Sequence, residues 1–275
     1  MLLVQGRFDA SIRLFARLGM DGADAASLET AARLTEGLGN VPHALELWGG
    51  YLNLYKGASL ARSQAALALG RLREAQGQDS EAARAYQDCL AGPEPLASQC
   101  GALLGDLHLR ARNYTEARAF YKRVAGASAV ATPKSGKSGR GAKSSQHKVE
   151  VASPYVGYAR YKLATFMEEE ARFAPLQFPE SVLKSALNQR LEFLEPLSRS
   201  YSSAVEAGGP WAIASLSRLA AWAVRFADEI DQIAPPAGAD PAAIARFRQS
   251  LLSISAPLRK KAAQTWFEAY SKANA

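Results

Sequence analysis

"ALALGRLREAQGQDSEAARAYQDCL", residues 66–90, and "GALLGDLHLRARNYTEARAFYKRVA", residues 101–125, are one pattern written twice. Leu69-Gly70 aligns with Leu104-Gly105, Ala82 with Ala117 and Tyr86 with Tyr121, each pair 35 residues apart. A third copy, "AARLTEGLGNVPHALELWGGYL", spans residues 31–52, and its Ala32, Ala44 and Trp48 keep the same spacing of 12 and then 4 residues. The residue types suit helix packing. The two small residues let a pair of helix backbones approach closely, and the aromatic one turn further along the same face fills the space beside them. Gly39 and Gly77 fall between the helices of a pair, where a residue without Cβ adopts the left-handed turn conformation.

Repetition at this period resembles the tetratricopeptide repeat, a helix–turn–helix unit of about 34 residues. The resemblance implies an all-α solenoid, a right-handed superhelix, with a helical C-terminal extension. The expected organisation is tetratricopeptide-like repeats over residues 1–130 (a partial one at 1–20, then 25–58, 63–96 and 98–130), a flexible basic linker at 131–153, and a repeat-like or helical region at 154–275. The opening "GRFDASIRLFARL" puts Gly6, Ser11 and Phe15 at turn, small and aromatic positions. The chain is therefore expected to begin inside a repeat whose first helix is missing, as a truncated piece of a longer protein, with a frayed terminal cap as the alternative.

Composition agrees with helix. The 275 residues are 48% hydrophobic and 21% charged, which fits a globular protein, and alanine and leucine outweigh β-branched residues. No apolar run approaches the roughly 18 residues of a membrane span, and "MLLVQGRFDA" lacks the cationic start of a signal peptide. The formal charge of +7 raises nucleic-acid binding as a reading. Residues 132–150 hold five basic residues (Lys134, Lys137, Arg140, Lys143 and Lys148) against Glu150, and the remainder carries only +3. Within that stretch "TPKSGKSGRGAKSS" approaches a phosphate-binding loop, but Ala142 stands where the lysine belongs, and no core strand precedes it. A basic arm without aromatics for stacking supports nucleic acid weakly, so a connector is the favoured reading.

The C-terminal half reads as further helices. One starts after Ser153 with Pro154 at its first position, a second ends at Gly208-Gly209 with a kink expected at Pro196, and a third carries Leu216, Leu219, Ala220, Ala223, Phe226 and Ile230 on one stripe. Asp240 caps the last segment before Pro241; Pro257 makes it two helices or one bent one, and Ala262, Trp266 and Ala269 repeat the second-helix pattern. The order "GPWAIASLSRLAAWAVRFADEI", a Pro-rich turn, then "FRQSLLSISAPLRKKAAQTWFEAY" resembles the C-terminal region of large tetratricopeptide proteins of myxobacteria, including those of the gliding-motility machinery. That resemblance implies a bacterial envelope scaffold, hence a periplasmic or cell-envelope location, with cytoplasm as the alternative.

No catalytic arrangement emerges. His43, His108 and His147 share no ligand or triad spacing, with packing the favoured role for His108, and no acid–base pair is placed for chemistry. The chain is read as no enzyme, with no cofactor, no metal and no small-molecule substrate. Cys89 ends one second helix and Cys100 lies early on the next first helix. Two separately buried small residues are expected, a bridge being the alternative in an oxidising compartment.

The tetratricopeptide resemblance implies a concave groove lined by fixed first-helix positions. The position after the small residue gives Arg33, Arg71, Asp106 and Thr165, and four further on lie Gly37, Ala75, Arg110 and Glu169. Tyr158 and Tyr161 would precede them on the fourth first helix. Arg33, Arg71 and Arg110 would hold an acidic peptide through bidentate carboxylate bonds, with the tyrosines as anchors, unless the face is simply solvated. The Asn- and Lys-rich clamp of chaperone-binding members is absent. The function expected is a protein–protein interaction scaffold; a basic-arm binder of nucleic acid or anionic surfaces is the alternative.

Overall fold

The computed structural model describes residues 2–22, 24–57, 59–127 and 153–273. They form α1 (Leu2–Asp21), α2 (Ala25–Gly37), α3 (Val41–Leu54), α4 (Leu60–Ala75), α5 (Asp79–Cys89), α6 (Leu96–Arg110), α7 (Tyr114–Gly126), α8 (Pro154–Glu170), α9 (Glu180–Glu206), α10 (Pro210–Asp231) and α11 (Pro241–Ala273), with no strand among the described residues. The fold is all-α, of the tetratricopeptide-like helix–turn–helix kind. It divides into two compact units, Met1–Val124 and Ala125–Ala275. Residues 132–145, the basic stretch read as a connector, lie outside the described residues, as does His147.

Local chemistry starts the helices. Side-chain oxygens of Asp24, Asn40, Ser59, Ser153 and Asp240 accept from backbone N–H groups of Ala26, His43, Arg62, Tyr155 and Ala243, satisfying donors that a helix start leaves unpaired. Between the helices of the second pair, α4 and α5, Gly77 takes φ 72°, and Gln78 N–H bonds Arg73 O at 2.9 Å. The third pair, α6 and α7, makes the same turn 35 residues on, where Asn113 N–H bonds His108 O at 2.8 Å. There the left-handed position is held by Arg112, at φ 59°, without a glycine.

In the first unit the repeat register is fully realised in packing. Ala32, Ala44, Trp48, Ala82, Tyr86, Ala117 and Tyr121 are buried. A Cβ added to Gly70 would lie 2.4 Å from Cε1 of Tyr86, and one added to Gly105 would lie 2.6 Å from Cε1 of Tyr121. The glycines are there because the rings are. The chain start departs from expectation: Gly6 lies inside the continuous α1, not at a turn. A lone glycine costs a helix only about 1 kcal/mol, and no proline or helix cap accompanies it. The helix packs on α2 by its other end, where Gly19 meets Leu28.

In the second unit each internal proline stays within a single helix, Pro196 in α9 and Pro257 in α11. The core gathers Leu197, Tyr201, Trp222, Phe226, Ile230, Leu251 and Leu258. Ala262 and Ala269 are buried as the second-helix pattern requires, but Trp266 is 43% exposed and does not act as the packed aromatic.

The cysteines also depart from expectation. Cys89 and Cys100 are not separate; they form a disulfide across a Cα–Cα distance of 6.1 Å, fully buried, joining α5 to α6 and so the second pair to the third. The last turn of one helix and the second turn of the next are within bridging reach because α5 and α6 pack together.

Two measurements test this packing. Gly105→Ala should destabilise the protein by about 1–3 kcal/mol through overpacking against Tyr121, whereas Gly126→Ala, whose Cβ would meet nothing within 4 Å, should not; equal effects in chemical denaturation would break the register. Thiol titration of the denatured, unreduced protein should find no free thiol, and reduction should lower stability by about 2–4 kcal/mol.

Candidate functional site

One polar bond recurs along the chain. The carboxylate of Glu36 accepts from Trp48 Nε1 at 3.1 Å, Glu74 from the Tyr86 hydroxyl at 2.5 Å and Asp106 from the Tyr121 hydroxyl at 2.6 Å. In the second unit Glu168 accepts from the Tyr201 hydroxyl at 2.8 Å and Asp231 from the Ser255 hydroxyl at 2.6 Å. Each bond ties a first helix to the second helix of its own pair. Glu36, Glu74, Glu168 and Asp231 stand four residues after Ala32, Gly70, Ala164 and Ala227, one turn along the packed face; Asp106 stands one after Gly105. Burial, then the neighbouring carboxylate, pushes the phenols of Tyr86 and Tyr201 well above their ordinary range. Sequence reading missed these bonds, although an acid four residues past the small position was their signal.

The arginines of the expected groove have different fates. Arg33 bonds Glu29 at 2.9 Å and Gln64 at 3.2 Å, with its guanidinium 5.8 Å from the Trp48 ring centroid. Arg110, half exposed, bonds Glu74 at 2.7 Å and Asp79 at 3.4 Å; the bond to Glu74 outweighs partial burial and raises its pKa. Arg71 is exposed and makes no hydrogen bond or ion pair among the described residues. Asp106 is engaged by Tyr121. Tyr158 and Tyr161 belong to the second unit, where they pack on Trp211 with centroids 4.5 and 5.4 Å away. Gly37, Ala75 and Glu169 are exposed and Thr165 is half-buried. His108 stacks on Phe120 at 5.3 Å, a packing role.

Glu168 is a heavily engaged acid. Its side chain is only 6% exposed, and besides Tyr201 it accepts from Arg218 Nε at 2.9 Å and from Arg225 Nη2. Burial alone would raise its pKa, but the bonds from Arg218, Tyr201 and Arg225 prevail and hold it below the ordinary carboxylate range. Glu168, Arg218 and Arg225 line a pocket of about 260 Å³ together with Phe173, Trp222, Phe226, Arg190, Glu169 and Glu229. Among the described residues no group of His, Cys, Asp and Glu is placed to hold a metal ion, and no helix is long and apolar enough to cross a membrane.

Residues 65–98, from within α4 through α5 to the start of α6, match the family model of the tetratricopeptide repeat. That repeat's fold is an architecture of protein–protein interaction scaffolds, and proteins built from it are typically not enzymes. No curated protein matches the sequence. Among solved structures, the chain is similar to MamA (15% identity, TM-score 0.41, covering 70% of this chain and 90% of that one). It is also similar to BtubC from P. vanneervenii (11% identity, TM-score 0.46, covering 93% and 89%) and to a tetratricopeptide-repeat protein from Bacteroides fragilis (13% identity, TM-score 0.41, covering 90% and 98%). At these identities and TM-scores the likenesses assign no partner.

The Glu168 cluster carries a pH signature. Its folded pKa lies below the unfolded value, so its contribution to stability is fully present above the usual carboxylate range and is lost as pH falls through the depressed value. Glu168→Gln should destabilise by about 1.5–3 kcal/mol at neutral pH, the worth of hydrogen bonds to a charged group, and should flatten the acid limb of a stability–pH curve. An unchanged acid limb would remove Glu168 from that role.

Proposed function

We propose that this chain is a protein-interaction scaffold whose first-helix face in the first unit takes acidic segments of a protein partner. The observation that carries the reading is Arg71, a guanidinium exposed on a first helix, which makes no hydrogen bond or ion pair among the described residues. A planar fork of donors left to solvent is suited to bidentate carboxylate recognition. Arg33 and Arg110 contribute less, because Glu29, Gln64, Glu74 and Asp79 already occupy them. Tyr158 and Tyr161 are anchors only in a contact made by the second unit. The buried Cys89–Cys100 bridge supports an oxidising compartment, compatible with the cell-envelope setting implied by the order of segments over about residues 155–273. A gliding-motility assembly is the most specific form of that proposal.

A fluorescent oligoglutamate peptide tests the face. Arg71→Glu should weaken its binding about tenfold, the loss of one charge-assisted pair, with the circular dichroism spectrum unchanged. Binding should also fall with salt, since exposed charges are screened over about 8–10 Å. Arg110→Gln is the companion variant, because a glutamate there would crowd Glu74 and Asp79 with a third carboxylate. Equal affinity of wild type and Arg71→Glu would sink the groove reading.

A further inference from the structure

The pocket beside Glu168 sets three guanidiniums beside an aromatic wall. Arg190 has a side chain only 9% exposed, is fixed by Glu229 at 3.0 Å and the carbonyls of Ala174 and Ala186 at 2.9 and 3.2 Å, and lies 5.1 Å from the Phe173 centroid. Those bonds use Nε and Nη1. Its Nη2 makes no hydrogen bond among the described residues and is not shut off from solvent, so it is available to a ligand entering the pocket. Arg218 reaches Glu168 through Nε and Arg225 reaches it through Nη2, so both keep further N–H groups unengaged among the described residues. Donors left over on three guanidiniums around one cavity, with Phe173, Trp222 and Phe226 beside them, call for an acceptor that has an apolar body.

Charge selects among acceptors. Three arginines line the pocket, and so do three carboxylates, Glu168, Glu169 and Glu229. A phosphate dianion would add two negative charges to a balanced set, whereas a carboxylate adds one and matches the planar guanidinium geometry. We propose that this pocket is a binding site for a monoanionic carboxylate bearing an apolar group, with Arg190, Arg218 and Arg225 on the carboxylate and the aromatic wall against the apolar body. The ligand is either the C-terminal end of a polypeptide with an apolar last residue or a free organic acid of the same chemistry. The site lies wholly within the second unit and does not depend on the Arg71 face.

Calorimetric titration with N-acetyl-phenylalanine tests it on the full chain. Saturable binding is expected, at least about tenfold tighter than for the corresponding amide, which lacks the charge, and tighter than for phenyl phosphate. Arg225→Gln, at a largely exposed position, should weaken binding by a similar factor while the protein melts as a folded species, and Trp222→Leu should weaken it through the apolar contact. A blocked tripeptide ending in phenylalanine that binds more tightly than the single residue identifies a polypeptide end as the source; the reverse order identifies a free acid. Equal binding of acid and amide, preference for phenyl phosphate, no binding at all, or full affinity in Arg225→Gln with Arg71→Glu as control would overturn the proposal.

Discussion

A tyrosine ring lying where a Cβ would otherwise be sets the geometry of the repeats. Tyr86 over Gly70 and Tyr121 over Gly105 bring each pair of helices too close for any side chain at the glycine. Close approach in turn carries the phenol across to the first helix, where Glu74 or Asp106 accepts its hydrogen bond. Apolar packing alone would leave a buried hydroxyl without a partner, at a cost of about 1–3 kcal/mol. The carboxylate removes that cost and fixes the tyrosine's depth. In the first pair, where the small residue is Ala32, a tryptophan makes the equivalent bond to Glu36.

The same bond shows that the second unit continues the scheme with different spacing. Ala164, Glu168 and Tyr201 stand in for Gly70, Glu74 and Tyr86, but a longer connection at residues 171–179, and above all a longer stretch of α9 before Tyr201, shift the aromatic far down the chain. A search for a constant interval therefore loses the repeat where the packing keeps it. In the first unit the interval is preserved, which is why Ala82, Ala117 and the aromatic positions were legible from sequence. The disulfide was not, since the spacing of Cys89 and Cys100 is silent about whether α5 and α6 meet there. Nor was the state of the arginines: residue type marks Arg33, Arg71 and Arg110 alike, and only the neighbours separate an engaged guanidinium from a free one.

The two candidate surfaces rest on opposite conditions. Arg71 stands in solvent, where each contact is weak and salt-sensitive. Around the pocket Glu168 and Arg190 are withdrawn from water and held by several bonds each, so geometry controls what can enter. The first suits a steering contact with an extended acidic segment, the second a single fitted group.

Sequence separation between the partners of the repeated bond has a kinetic consequence. It is 12, 12 and 15 residues in the first unit but 33 for Glu168 with Tyr201 and 24 for Asp231 with Ser255. Closing a longer loop costs more entropy, about 0.6 kcal/mol for each doubling of length, and that cost is met before the contact forms. The helix pairs of the first unit are thus the faster to assemble. During synthesis they also leave the ribosome first, so order along the chain and order of folding coincide.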